Sequence, residues 1–379
     1  MKITGCEVLT LPDHGDSMML VAVDTDEGIH GLGEVGIRTR QRAVAGGIEH
    51  LAELIVGEDP TRIEYLWQVM FRRGFFPSDR FLSAAIAAID VALWDIRGKA
   101  LGVPVYQLFG GHVRDAVPCY VHVGDQYRGR EAFLDRCRSL VDEGWRHLRF
   151  ATPHDDGVLD ARASMRESIE LVHAARDALG DGVELILDVH TRLDPPEAVT
   201  LCREIESARP YFVEDPLRAE SLDSYEMLRR RTGVPIATGE VFGSKWEFQR
   251  LIERDLIDYA RVDVAVAAGL TEARKIAATA ETHYVKLATH NPLGPVTAAA
   301  SLQLNLASPN VGVQEHQVDP EPATAALFTA RPAVRAGWVE RNELPGIGVD
   351  IDRDAARKLR ATAAERPHLR TPDGAYTNW

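Results

Sequence analysis

The chain has 379 residues, 45% of them apolar, which is too long for one small core and favours two domains or one large barrel with an attachment. Its formal charge of −14 argues against nucleic acid and anionic membrane as partners, since both reward clustered Lys and Arg. Cys6, Cys119, Cys137 and Cys202 show no CxxC or disulfide rhythm, no apolar run reaches the roughly 18 residues of a membrane span, and the opening MKITGCE lacks a signal peptide's apolar stretch. Reduced thiols in a cytoplasmic protein are expected.

The chain opens with strands. Residues 2–11 read as extended, and 19–24 and 29–35 flank the turn Thr25-Asp26-Glu27-Gly28, a hairpin signature. Helical patterns follow over 40–55, 61–71 and 81–100, the last with Leu82, Ile86, Ile89, Leu93 and Ile96 at helical spacing. Strands followed by a run of helices suggest an α+β unit. Within it, Gly31-Leu32-Gly33-Glu34-Val35-Gly36 matches GxGxxG. The preceding strand belongs to a hairpin and Glu34 would repel a pyrophosphate, so dinucleotide binding is not expected.

After Gly110-Gly111 the rhythm changes to apolar runs alternating with helical stretches. Candidate strands are 117–121, 147–150, 183–188, 211–214, 235–238, 258–263, 285–289 and 311–314, eight in all. That is the pattern of a (β/α)8 TIM barrel, whose active sites lie at the carboxyl ends of the strands. From about Arg341 the tail turns polar and is expected to pack back on the first domain. The expected division is 1–113, 114–340 and 341–379.

The strand ends then line up. Strands two to eight offer Arg149, Asp188 with His190, Glu214, Glu240, Asp263, His290 and Glu315. Asp188, Glu214 and Glu240 are each 26 residues apart and each closes an apolar run. A single polar residue after a strand is usually a loop residue or a helix cap. Consecutive strands ending this way point to a shared site. Three carboxylates suit Mg²⁺ better than Zn²⁺, which favours His and Cys. Asp215 competes with Glu214, but alternation along a strand sends the two in opposite directions, so Glu214 is assigned. His190 shares the parity of Asp188 and is expected to reach whatever the metal holds. His290 and Asp263 end neighbouring strands, and an Asp beside a His raises its basicity, as a general base requires. Lys286 lies inside strand seven, away from its end, which argues against a Schiff-base aldolase.

The segments SAAIAAIDVALWDIRGKALGVPVYQLFGG (83–111), LDVHTR (187–192), FVEDP (212–216), TGEVFGSKWEF (238–248), ATHNPLGP (288–295) and VQEH (313–316) together resemble the enolase superfamily. The likeness is to its mandelate racemase branch, nearest the sugar-acid dehydratases that act on galactonate or mannonate. The resemblance implies an N-terminal α+β domain capping the barrel, Asp188, Glu214 and Glu240 as Mg²⁺ ligands, and a homo-oligomer. It also implies His290 with Asp263 as base for the C2 proton, His190 as acid for the departing 3-hydroxyl, and Glu315 holding the enolised carboxylate. Arg149 is assigned to the substrate.

There are departures. Strand two reads His147-Leu148-Arg149, without the Lys-x-Lys of racemising relatives. Mannonate-type enzymes also end this strand in Arg but follow it with a Tyr, which residues 151–160 lack. The expected activity is therefore Mg²⁺-dependent dehydration of an aldonate to a 2-keto-3-deoxy sugar acid. The alternatives are an epimerase or lactone cycloisomerase on the same scaffold, or a catalytically weak or inactive homologue that only binds a sugar acid. Substrate choice is expected to rest on capping loops 12–18 and 72–80; His14, Arg73 and Arg80 there are candidates for contact with distal hydroxyls or a second carboxylate, but a solvated surface charge is the favoured reading of each.

Overall fold

The computed structural model describes residues 1–124, 129–154, 157–316, 319–359, 361–362 and 368–377. The first strands, β1 (Ile3–Asp13), β2 (Asp16–Thr25) and β3 (His30–Glu34), form an antiparallel meander. Three helices pack on it: α1 (Gln41–Ile55), α2 (Ile63–Arg72) and α3 (Arg80–Leu101). α1 buries Val44, Ile48, Leu51 and Ile55, one stripe at helical spacing. α3 is buried nearly all round because alanines 84, 85, 87, 88 and 92 let neighbours approach closely. Asp79 starts it by accepting a hydrogen bond from the Leu82 amide, and Gly102 ends it at φ 67°.

That close approach explains the GxGxxG string. A Cβ on Gly31 would sit 1.9 Å from the Ala92 carbonyl oxygen, and one on Gly33 would sit 1.8 Å from that of Ala88. The glycines let β3 lie directly against α3.

The barrel strands are β4 (Ala116–His122), β5 (His147–Ala151), β6 (Glu184–Asp188), β7 (Phe212–Glu214), β8 (Ile236–Thr238), β9 (Tyr259–Ala260), β10 (Lys286–Thr289) and β11 (Val311–His316). All neighbours are parallel, and β11 pairs with β4 to close the ring. The interior holds Tyr120, Ile186, Phe212, Ala237, Tyr259, Ala288 and Val313, a packed layer with no pore. Seven strands fall within two residues of the expected bounds. β9 is shorter than the expected 258–263, because after Ala260 the chain begins to turn. Asp263 Oδ1 accepts from the Ala265 amide at 2.7 Å, and its carbonyl accepts from the Ala267 amide at 2.8 Å.

The tail is spread over both units. Just before it, residues Trp338–Glu340 add an antiparallel strand to β4. The helix Arg353–Lys358 meets β1 and β2, with Arg353 pairing Asp24 and Glu7 and Arg357 pairing Glu7. The last described segment, 368–377, is a hairpin bridged to the loop after β5 at Val158 and Arg370. Among the described residues no helix is long and apolar enough to cross a membrane, and all four cysteines are free.

Candidate active site

The strand ends converge as barrel geometry requires. His290 Nδ1 lies 2.7 Å from Asp263 Oδ2, and its Nε2 lies 3.3 Å from Glu240 Oε2 and 3.8 Å from Glu315 Oε2. Burial disfavours a charged imidazole, but Glu240, Glu315 and Asp263 outweigh it and raise the His290 pKa to about 9. β6 and β10 are four strands apart in the eight-stranded ring, so His190 and His290 come from opposite sides of the mouth.

His190 reaches Asp188 by a different route from the expected strand parity. His190 and Thr191 have φ of 51° and 56°, so the chain turns sharply after β6. The turn brings the His190 amide to 2.8 Å from Asp188 Oδ1 and its Nε2 to 3.0 Å from Oδ2. Asp188 also pairs with Arg149, whose Nη2 lies 3.2 Å from His190 Nε2. Residues 155–156 of the loop that follows β5 lie outside the described residues.

Glu214 and Glu240 are neighbours, and the acidic trio whose oxygens lie within 4.8 Å of one another is Glu214, Asp215 and Glu240. Asp188 is turned toward Arg149 and His190 instead. The alternation argument used against Asp215 does not apply here, because the strand stops at Glu214 and Asp215 adopts φ 40°. Asp215 nonetheless spends one oxygen locally, accepting from the Thr238 hydroxyl. Glu214 Oε2 is buried without a hydrogen-bond partner, whereas Asp188 Oδ2 faces Arg149 and His190, and Glu240 Oε2 faces His290 and Arg261. Burial pushes the Glu214 carboxyl up to about 7, against Arg261 and Arg149. Crowded, oxygen-only donors, one of them the unpartnered buried Glu214 Oε2, fit a hard divalent cation.

Two further contributors, Arg261 and His122, carry no role in the sequence expectations. Arg261 is fully buried on the chain two residues before Asp263 and reaches Glu214, Glu315 at 2.9 Å and Glu240 at 3.5 Å. Its parity with Asp263 was a readable signal. His122 ends β4, the one strand whose end the sequence reading left empty, and its Nε2 lies 2.6 Å from Glu315 Oε1. Asp215, the rival to Glu214 in the sequence, lies in the same cluster. Glu315 is thus held by His122, Arg261 and the Asn291 amide at 2.9 Å. Burial would raise its carboxyl, but His290, Arg261 and His122 together hold it well below the carboxylate range.

The two capping loops meet the segments that follow these strand ends. His14 Nε2 lies 2.9 Å from the Asp319 carbonyl, and Asp13 pairs with Arg38 at 2.9 Å. Arg80 pairs with Glu247 at 2.8 Å, just after the Glu240 turn, and Phe71 packs 5.5 Å from Trp246. Phe75 and Phe76 of the second loop are exposed.

Residues 132–355 match the family model described as enolase C-terminal domain-like, and residues 10–110 match the mandelate racemase/muconate lactonizing enzyme N-terminal domain. The chain belongs to the enolase superfamily. Within its mandelate racemase/muconate lactonizing enzyme branch, the chain is 38% identical over 388 residues to a D-galactonate dehydratase of Ralstonia pickettii (strain 12J), all of both chains being covered. It is 37% identical over 387 residues to a D-galactonate dehydratase of Pectobacterium atrosepticum, again with full coverage. A crystal structure of an enolase from Pantoea ananatis with bound D-gluconate and Mg superposes with a TM-score of 0.92 at 31% identity, over all of both chains. The closed barrel with its N-terminal cap is thus the enolase-superfamily fold, and a divalent cation is consistent with both the acidic cluster and the Mg of that relative.

Proposed function

We propose that this enolase-superfamily member is an acid-sugar dehydratase of the galactonate dehydratase kind. It removes the C2 proton alpha to a carboxylate and eliminates the 3-hydroxyl as water, giving a 2-keto-3-deoxy sugar acid. The observation that carries this reading is the pair of histidines on opposite sides of one carboxylate cluster, one of them backed by an Asp. The full-length likeness to D-galactonate dehydratases supports it, as does the gluconate held by the Pantoea relative.

Asp188, Glu214 and Glu240 would hold Mg²⁺. Once bound, the ion contributes Lewis-acid stabilisation of the negative charge that develops on the substrate carboxylate, an effect of several kcal/mol. His290 receives the C2 proton at Nε2 while Asp263 holds Nδ1, which fixes the ring and stabilises the imidazolium that forms. His190, beside Asp188 and Arg149, gives a proton to the leaving hydroxyl. The enol that results tautomerises to the keto acid. Glu315, steadied by His122 and Arg261, and Arg149 face the substrate from the strand ends. The substrate is a small acid sugar, and the family resemblance favours a homo-oligomer.

The decisive experiment incubates the Mg²⁺-loaded protein with a panel of aldonic and aldaric acids, assaying keto acid with semicarbazide and following deuterium entry at C2. Keto product from an aldonate is expected. Deuterium exchange without keto product from any acid sugar would overturn dehydration in favour of epimerisation.

A further inference from the structure

The base pair sits on two loops, and each loop is gripped from the capping domain by one buried carboxylate. The loop from Asp263 leads to the helix Leu270–Thr282, and the loop from His290 leads to the helix Pro295–Ala307. Asp90 of α3, fully buried, accepts from the Thr271 amide at 2.9 Å and from the Thr271 hydroxyl at 2.6 Å. Glu34 of β3, also buried, accepts from the Gly294 amide at 2.6 Å, the Thr297 amide at 3.0 Å and the Thr297 hydroxyl at 3.1 Å. Both therefore cap helix N-termini that lack a capping side chain of their own. Anionic groups are favoured there by the helix dipole and the unpaired amides.

The fit leaves no slack. A Cβ on Gly269 would lie 2.3 Å from Asp90 Oδ2, and one on Gly294 would lie 2.8 Å from Glu34 Oε1. The first loop has a further tie, since Trp67 of α2 donates from Nε1 to the Ala268 carbonyl at 2.9 Å. At its other end, Asp263 divides its oxygens, Oδ1 taking the Ala265 amide and Oδ2 facing His290. The orientation of the Asp263 carboxylate is therefore set by a loop anchored at Ala268 and Thr271. His290 is likewise four residues from the amide that Glu34 holds.

We infer that Asp90 and Glu34 are positioning residues: across the domain junction they set the Asp263 and His290 loops, and so the alignment of the base pair. The inference rests on the reading of His290 and Asp263 as that pair. A merely structural role would hold the domains together and leave chemistry intact in whatever protein is folded. A positioning role acts on proton removal, where a misplacement of about 1 Å can lower the rate roughly a hundredfold.

The test is a double-mutant cycle in the Mg²⁺-loaded full chain, using Asp90→Asn, Asp263→Asn and the pair, with two milder variants: Thr297→Val removes the hydroxyl bond to Glu34, and Thr271→Val removes the hydroxyl bond to Asp90 together with the one that Trp94 Nε1 donates to it. Fold is checked by thermal melting, and kcat, KM and C2 deuterium exchange are read well below the melting temperature. Asp90→Asn is expected to lower kcat and exchange together by roughly tenfold to a hundredfold, with KM little changed, and to add little in the Asp263→Asn background. The threonine variants should lower kcat in the same sense and to a lesser degree. Unchanged kcat in the Asp90 and threonine variants, or fully additive losses in the cycle, would overturn the positioning role. If Asp263→Asn alone leaves exchange intact, it is the reading of the base pair that fails.

Discussion

His290 Nδ1 faces Asp263 Oδ2 at 2.7 Å, which turns Nε2 toward Glu240 and Glu315 at the mouth of the barrel. With a carboxylate as its partner, Nδ1 carries the proton, and Nε2 is left as the atom able to accept one. For His290 as the proposed base, Nε2 is therefore the nitrogen that would take the proton.

His290→Ala is expected to abolish deuterium entry at C2 while Mg²⁺ binding stays near normal, since no assigned metal ligand is removed. Calorimetric Mg²⁺ titration and NMR exchange measure the two separately. Full exchange in this variant would remove His290 as the base.

His190→Asn is expected to behave differently. Proton exchange at C2 continues, but keto acid formation falls by roughly 10²–10⁴-fold, the usual worth of a positioned acid. If exchange and elimination fall together, the two histidines do not have separate tasks.

The charges around His290 give a pH dependence with a defined sign. Its pKa stands at about 9 against an ordinary 6.5, so the imidazole is protonated over most of the neutral range when no cation is bound. A base must be neutral, so exchange is expected to rise with pH through this limb, and an added divalent cation should move the limb lower by opposing the carboxylates. Stability follows the opposite course. A raised pKa contributes stability that is complete below about pH 6.5 and is lost as pH rises through about 9. The melting temperature of metal-free protein should therefore fall over that window, and by less in His290→Asn. Equal slopes in the two proteins would contradict it.

Glu214→Gln is expected to weaken Mg²⁺ affinity, and Mg²⁺ should raise the melting temperature of the native chain. At a hundred times Kd the stabilisation is about 2.7 kcal/mol. An unchanged titration in the variant would take Glu214 out of the ligand set.

Arg261→Leu leaves Glu214 and Glu315 buried without their shared cation. Removing one partner of a buried ion pair costs about 3–5 kcal/mol, so the variant should unfold at markedly lower denaturant. Mg²⁺ should recover part of that loss, because it supplies positive charge to the same cluster. A loss that Mg²⁺ leaves untouched would show that Arg261 serves packing alone.

Much of this protein is legible in its sequence. Strand and helix periods, glycine turns and the regular recurrence of a polar residue after each apolar run depend on neighbours in the chain. They therefore place eight strands and bring Asp188, His190, Glu214, Glu240, Asp263, His290 and Glu315 to one end of a barrel. What periodicity does not encode is direction once a strand has ended. The φ of 51° at His190 and of 40° at Asp215 are set by the turns that follow, so the tertiary structure decided that Asp188 faces Arg149 and His190 while Asp215 joins Glu214 and Glu240. It also decided which charges meet. Arg261, His122, Glu34 and Asp90 are ordinary polar residues in the sequence, and they matter here because packing removes water around them and brings distant segments within hydrogen-bond reach.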